Sequence, residues 1–257
     1  MRQRARTGLH CGLASAGLIA TALLAVGAAA SIPAGDRIGF AVMREDAPLG
    51  QHRVSLERSG DTLVATVEIA LRLRFAGLTL FRYDHRSVET WQAGRLVALE
   101  SRTDDDGTSH VVTGRAVPEG FEVTADGKRF MAPADVIPTS YWHPATVAQT
   151  SLLDTQNGRL VAVRMTPKGR DQVALRSGKA EACRWEMRGD LAMDLWYDST
   201  GRWVKLTFNA RGADVVYVFE GDGEQMRAQS ERERQVRLAA TGGMPAPDSP
   251  AAVCPGS

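Results

Sequence analysis

The sequence predicts an all-β fold, a large curved antiparallel meander sheet (half-barrel or open barrel) with one short helix or loop insertion. Two observations predict it. Apolar residues occupy every second position in several segments, and turn residues separate those segments at short intervals. The 257 residues and 44% hydrophobic content suit a folded domain, and the net charge of +1 lacks the basic excess of a nucleic-acid binder.

The first 30 residues have the pattern of a secretory signal peptide. Arg2, Arg4 and Arg6 precede an apolar run that ends in the small residues Ala28-Ala29-Ala30. A membrane anchor is the alternative, but the run is short for a span of about 20 residues. We expect cleavage after Ala30, a periplasmic location and no integral membrane segment in the mature protein. Export removes three basic residues, which makes the mature chain slightly acidic.

Two cysteines, Cys183 and Cys254, remain after cleavage. In an oxidising compartment they would be able to pair. However, Cys183 alternates with Trp185 and Met187 on a predicted core face, and Cys254 lies in a Pro-rich tail. A disulfide and a pair of separate thiols both stay open at this point.

The clearest strand covers residues 62–75. Its odd positions from Leu63 to Phe75 are apolar, and polar residues fill most of the positions between them. This alternation predicts a half-buried strand with one solvated face. Further strands are predicted on both sides of it, about a dozen in all, with turns at 45–48, 92–94, 105–107, 126–127, 166–169, 177–178, 189–190 and 198–201.

One segment, residues 132–157, breaks the alternation. Pro133, Pro138 and Pro144 exclude an ordinary central strand. Pro144 is suited to the first position of a short helix, which we expect to continue to about Leu152. A long insertion with adjacent Tyr, Trp and His residues is the natural place for a lid or plug.

The chain therefore divides into a signal peptide (1–30), an antiparallel β domain (31–222) and a C-terminal extension (223–257). Residues 224–240 are rich in Arg, Glu and Gln, and indicate either a polar helix or a solvated segment. Residues 242–257 are rich in Pro and Gly, as is typical of a disordered tail.

No strong catalytic, phosphate-binding or metal-binding motif is present, so we expect neither a metal nor a cofactor. Histidines that would be able to bind a metal lie far apart in sequence, at His52, His85, His110 and His143. The run Asp104-Asp105-Asp106-Gly107 resembles a calcium loop only in composition, and a hairpin turn explains it better.

His143 has two interpretations. It would be able to act as a general acid or base at the mouth of a cavity, or its ring caps a loop while Tyr141 and Trp142 plug an open end of the sheet. Phe81, Tyr83 and His85 alternate onto one strand face, which is either an amphipathic cavity wall or a strand with a wet rim. Trp196 either stacks against a ligand or fills the core.

Three segments resemble a known family: Tyr141-Trp142-His143-Pro144, residues 152–158, and residues 195–204 with their Trp-Tyr-Asp turn followed by Gly. They are similar to the secreted bacterial domain of unknown function 6134, which is itself akin to domain of unknown function 3108. The resemblance covers about residues 36–220. It implies an exported, curved antiparallel sheet without an established reaction, and it implies no catalytic residues.

We therefore predict a periplasmic protein that binds or carries an apolar, lipid-like ligand in the concave face of its sheet. An envelope scaffold that binds another protein is one alternative. A hydrolase or isomerase that uses His143, Tyr141 and either Asp84 or Asp198 is another, and an outer-membrane barrel is disfavoured by the aromatic content of 6%. The predicted ligand-binding residues are Phe75, Phe81, Tyr83, His85, Tyr141, Trp142, His143 and Trp196. Nucleic acid is not an expected partner.

Overall fold

The structure, a computed structural model, describes residues 37–175 and 178–221, apart from the side chain of Phe75. These residues form one 14-stranded antiparallel sheet that is shaped like a nearly closed barrel, as the alternation predicts. The strands are β1 (Arg37–Arg44), β2 (Ala47–Ser59), β3 (Thr62–Phe75), β4 (Leu78–Gln92), β5 (Arg95–Asp105), β6 (Thr108–Val117), β7 (Gly120–Ala125), β8 (Lys128–Ala132), β9 (Ser151–Leu153), β10 (Leu160–Leu175), β11 (Gly178–Gly189), β12 (Met193–Asp198), β13 (Trp203–Ala210) and β14 (Ala213–Phe219).

The strands that come first and last in the sequence, β1 and β14, are neighbours in the barrel. The strand order is β8-β7-β6-β5-β4-β3-β2-β1-β14-β13-β12-β11-β10-β9, and β1 pairs with β14 from Phe40↔Phe219 to Arg44↔Val215. The two edge strands, β8 and β9, are therefore consecutive in sequence. Residues 133–150, which we call the seam segment, connect them.

The inward face of each strand follows from its period of two. On β3, Leu63, Ala65 and Val67 are buried and belong to one continuous core, together with Trp91, Trp203 and other inward residues. The polar positions between them point to the outside. The prediction of a long strand at 62–75 with one solvated face is confirmed.

The seam segment closes part of the gap next to β9. Pro138 forms a parallel bridge with Leu153, in which Thr139 N donates to Leu153 O at 2.9 Å and Leu153 N donates to Ile137 O at 2.9 Å. Leu152 and Leu153 are fully buried. Three prolines prevent the seam segment from forming a regular central strand. Its backbone nevertheless supplies hydrogen-bond partners to the edge of β9.

Two local predictions are wrong. The predicted helix from Pro144 to about Leu152 is a single 3-10 turn, Pro144–Ala148, because Ser151–Leu153 pairs with β10 instead. The predicted turn at 166–169 does not divide two strands. β10 runs through it with a bulge between Pro167 and Arg170, where the missing amide hydrogen of proline is tolerated.

Several predictions fall outside the described residues: the signal peptide (1–30), the C-terminal extension (223–257) and Cys254. Cys183 is disulfide-bonded, and its partner also lies outside the described residues. Within residues 37–175 and 178–221, we find no helix with the length and apolar character needed to cross a membrane.

Candidate ligand-binding site in the barrel interior

A column of polar side chains runs down the inner face of β4. Tyr83, His85, Ser87 and Glu89 occupy alternate positions, and each of them is buried. Tyr83 pairs with Leu71 near one end of the barrel. We call this the upper end, and it also carries the turns at 45–46 and 211–212. Glu89 lies deeper, beside Ala65. We call this set the β4 column.

Glu89 anchors the deep end of the column. Its carboxylate is fully buried, and Oε2 accepts hydrogen bonds from Trp91 Nε1 at 3.1 Å and Trp142 Nε1 at 3.0 Å. Burial disfavours the charged form and raises the pKa of Glu89 to about 7, although hydrogen bonding from Ser140 and from the two indole donors acts in the opposite direction.

His85 joins three parts of the chain. Its Nδ1 lies 2.9 Å from Thr103 Oγ1 on β5, and its Nε2 lies 3.3 Å from Thr155 Oγ1, just after β9. Ser101 Oγ also donates to Thr155 O at 2.6 Å. Burial lowers the pKa of His85 to about 4, so the imidazole is neutral at physiological pH.

His52 on β2 occupies an aromatic cage on the same ladder row as His85. Its ring centroid lies 6.2 Å from Phe40, 5.2 Å from Trp203 and 5.6 Å from Tyr217, each in an edge-to-face arrangement. Neither ring nitrogen has a hydrogen-bond partner in the described part of the chain. Burial, and secondarily the neighbouring His85, lower the pKa of His52 to about 3.

The buried polar atoms without partners concentrate in one region. Among the described residues, four such side-chain atoms belong to β2 or β4: His52 Nδ1 and Nε2, Tyr83 Oη and Ser87 Oγ. Ser140 and Thr146 of the seam segment instead interact with Glu89 and Tyr197. Because an unpaired buried polar group costs about 1–3 kcal/mol, this clustering indicates a site for additional hydrogen-bonding groups.

His143 has a local structural role. Its Nδ1 accepts from Ala145 N at 3.2 Å and caps the 3-10 turn, while its ring stacks on Trp91 with centroids 4.8 Å apart. Burial lowers the pKa of His143 to about 4. The carboxylates considered as its catalytic partners make other contacts: Asp84 binds Arg72, and Asp198 binds Arg202 in the β12–β13 turn.

Tyr141 is held in an unfavourable backbone conformation. Its φ of 59° is in the left-handed region, which costs an aromatic residue of order 1–3 kcal/mol. The Tyr197 hydroxyl donates to Tyr141 O at 2.8 Å and fixes this geometry. Tyr141 also influences Tyr83. Burial is the largest cause that raises the pKa of the Tyr83 hydroxyl far above its usual range, and smaller contributions come from Tyr217, Asp154, Asp105 and Tyr141.

The upper end of the barrel is apolar. Half-buried side chains pack against the core there, and they include Leu71, Leu73, Met193 and Phe208. Phe81, on β4 of the β3–β4 hairpin, is half-buried, and the Arg211 guanidinium lies 5.8 Å from its ring. Leu78 and Leu80, at the tip of this hairpin, are exposed. An apolar rim therefore lies directly above the first residue of the β4 column.

The structure brings most of the predicted site residues together. Tyr83, His85 and Trp142 point into the interior, His143 borders it, and Phe81 lies at its upper rim. Trp196 does not join them. It lies on the opposite face of β12, where it packs with Val173, Ala182 and Val204 and donates to Asp171 Oδ2 at 2.8 Å. Phe75 is the last residue of β3, and its side chain lies outside the described part.

Sequence reasoning missed four interior residues: His52, Ser87, Glu89 and Trp91. The signal was present for three of them, because the alternation that groups Phe81, Tyr83 and His85 continues through Ser87, Glu89 and Trp91. Within the described residues, no three His, Cys, Asp or Glu side chains are grouped as a metal site would require.

Comparisons with known proteins address the fold. The model of the family described as domain of unknown function (DUF6134) matches residues 40–220. A crystal structure of a beta-barrel-like protein of domain of unknown function DUF1849 from Brucella abortus is similar, with a TM-score of 0.54 and 11% sequence identity over 71% of this chain and 94% of that chain. At this identity the likeness shows the fold alone. No curated protein matches the chain.

Proposed function

This chain belongs to the DUF6134 family, and from that premise we propose that it is an exported, periplasmic protein that binds an apolar, lipid-like molecule with a neutral polar head group. The head group would bind along the β4 column, and the apolar part would lie at the upper end of the barrel. The signal-peptide pattern of residues 1–30 supports export, and the buried polar side chains of the β4 column support binding of the head group.

The observation that carries this proposal is the position of the unpartnered polar atoms. Tyr83 Oη and Ser87 Oγ are inward positions of one strand, and His52, whose two ring nitrogens are also unpartnered, lies in the same interior on β2. The half-buried apolar rim of Leu71 and Leu73 lies beside Tyr83. Ligand sites are typically apolar with a few convergent polar groups, and this interior has that composition.

The charge of the interior favours a neutral head group. No lysine or arginine is buried in the described part of the chain, and burial makes His52 and His85 neutral at physiological pH. An ionised carboxylate or phosphate in this interior would therefore lack a compensating cation and would pay its full desolvation cost. A hydroxyl-bearing head, such as that of a monoacylglycerol, fits the available donors and acceptors.

Binding is tested by native mass spectrometry of the protein isolated gently from a periplasmic extract, followed by titration with monoolein. We expect a monoolein adduct that outcompetes one of oleate, whose head group is charged. Absence of any adduct at saturating monoolein, or preference for oleate, would contradict the proposed ligand class. The same mass spectrum tests export, since cleavage after Ala30 leaves Ser31 as the first residue.

Two variants locate the site. Tyr83→Phe and Ser87→Ala each remove one hydroxyl from the β4 column, and we expect monoolein affinity to fall about fivefold to tenfold for each, the usual effect of losing one hydrogen bond. Trp196→Phe is the matched control on the opposite sheet face and should leave affinity unchanged. Equal losses in all three variants would indicate a general effect on folding rather than this site.

A further inference from the structure

The outer face of the barrel carries a charged concavity that the interior site does not use. It has a volume of about 470 Å³ and spans β2 to β6. Its outward-pointing charged residues are Arg53, Glu68, Asp84, Arg86, Arg102 and Asp104. Arg72 and Arg82 flank it and contact Asp84.

Two arginine pairs face each other across neighbouring strands in this region. Arg72 is directly opposite Arg82 on β3 and β4, and Arg86 is directly opposite Arg102 on β4 and β5. Like charges in this arrangement repel each other, because opposed side chains on a sheet have Cβ atoms only about 5 Å apart. Each pair therefore needs negative charge nearby.

The protein supplies an acidic partner to both arginines of only the first pair. Arg72 Nη2 donates to both Asp84 oxygens at 2.7 Å, and Arg82 binds Asp104. For the second pair, only Arg86 has an acidic neighbour, Glu68, at 3.5 Å. Arg102 has no ion pair or side-chain hydrogen bond among the described residues, and neither does Arg53, which lies on the same ladder row.

We propose that Arg53, Arg86 and Arg102 form a binding site for a phosphate group. Asp84 and Asp104 are already engaged by Arg72 and Arg82 and do not compete for these guanidinium groups, while Glu68 contacts Arg86 alone, at 3.5 Å. Arg86 and Arg102 are close enough to contact the same anion from two sides, and Arg53 extends the site across Glu68. Planar guanidinium groups bind phosphate oxygens in pairs, which favours phosphate over a simple monovalent ion.

Isothermal titration with sodium pyrophosphate, at constant ionic strength, tests this site. We expect saturable binding to the wild-type protein and about tenfold weaker binding to both Arg53→Gln and Arg102→Gln, since each loses charge-assisted hydrogen bonds. The matched control is Arg58→Gln, which removes one exposed positive charge from the end of β2 outside the concavity. Its affinity should stay within about twofold of wild type, because salt screens a distant charge.

The source of the phosphate is distinguished by two further measurements, inorganic phosphate in solution and vesicles containing phosphatidylglycerol or phosphatidylcholine alone. Binding of either phosphate form that is weakened by Arg102→Gln supports the site. No binding of pyrophosphate, phosphate or vesicles would overturn it, as would equal losses for Arg58→Gln and Arg102→Gln. The interior site is unaffected by these outcomes, since monoolein carries no phosphate.

Discussion

The indole of Trp142 donates a hydrogen bond to the Glu89 carboxylate at 3.0 Å, although the two residues are 53 positions apart in sequence. Glu89 belongs to the barrel wall and Trp142 to the seam segment. Both side chains are fully buried, and Trp91 donates to the same carboxylate oxygen. This contact therefore fixes the seam segment against β4 and makes the segment a plug for the lower part of the interior.

Trp142→Phe should destabilise the protein by about 1–3 kcal/mol, because it keeps an aromatic ring but leaves a buried carboxylate oxygen with one donor fewer. Urea unfolding followed by circular dichroism measures the change. Trp196→Phe also removes an indole donor, but its acceptor Asp171 is only partly buried. The control should therefore lose less stability, and a larger loss there would contradict the role of Trp142 as the anchor of the seam segment.

Glu89→Gln should change the pH dependence of stability. The folded-state pKa of Glu89 is raised from 4.5 to about 7 by burial, so its protonated form stabilises the fold fully below pH 4.5. That contribution is lost as pH rises through 7, for a total of about 3 kcal/mol. The neutral Gln variant lacks this loss, so its stability relative to wild type should increase between pH 4.5 and 7 and then stay constant.

Urea unfolding at a series of pH values from 4 to 8 measures this difference. Glu100→Gln is the control, since Glu100 is exposed on the outer face of β5. The control curve should run parallel to that of the wild type. A parallel curve for Glu89→Gln would show that the buried carboxyl titrates alike in the folded and unfolded chains.

His52→Phe should stabilise the protein by about 1 kcal/mol at pH 7, because the ring keeps its aromatic contacts and two unpartnered buried nitrogens are removed. The gain should grow at acid pH. The folded-state pKa of His52 is lowered from 6.5 to about 3, so the neutral ring contributes stability above pH 6.5 that is lost as pH falls through about 3.

Thermal unfolding at pH 7 and pH 5 measures the effect of His52→Phe. His110→Phe is the comparison, because His110 is partly exposed and its Nδ1 lies 2.7 Å from Asp126 Oδ2. That variant should be less stable than wild type. If His52→Phe also lost stability at pH 7, the ring nitrogens of His52 would have hydrogen-bond partners in solution, and the prediction would be wrong.

The strand pattern could be predicted from the sequence, because alternation in segments such as 62–75 reports burial on one side of a sheet directly. The pairing of β1 with β14 could not. It joins Phe40 to Phe219, and no local pattern encodes a contact between segments so far apart. The prediction that a turn divides β10 was wrong, because Pro167 and Gly169 are residues typical of a turn even where they form a bulge.

The candidate site was predictable only in part. Tyr141, Trp142 and His143 drew attention because aromatic and titratable residues adjoin three prolines in an irregular segment. Glu89 did not, since a single carboxylate in a polar-looking strand is normally solvated. Only the register of β4 shows that it points inward, and only the folded seam segment supplies its Trp142 donor.

The neighbouring positions of β1 and β14 also set the order in which the molecule can assemble. Hairpins from β1 to β8 and from β9 to β14 can form from nearby residues, but closure needs the last strand to find the first. Until β14 has been synthesised, the edge of β1 that faces away from β2 and the apolar inner faces remain open to wrong pairings. A slow final step is therefore built into this topology, and it favours folding after the whole chain has been synthesised.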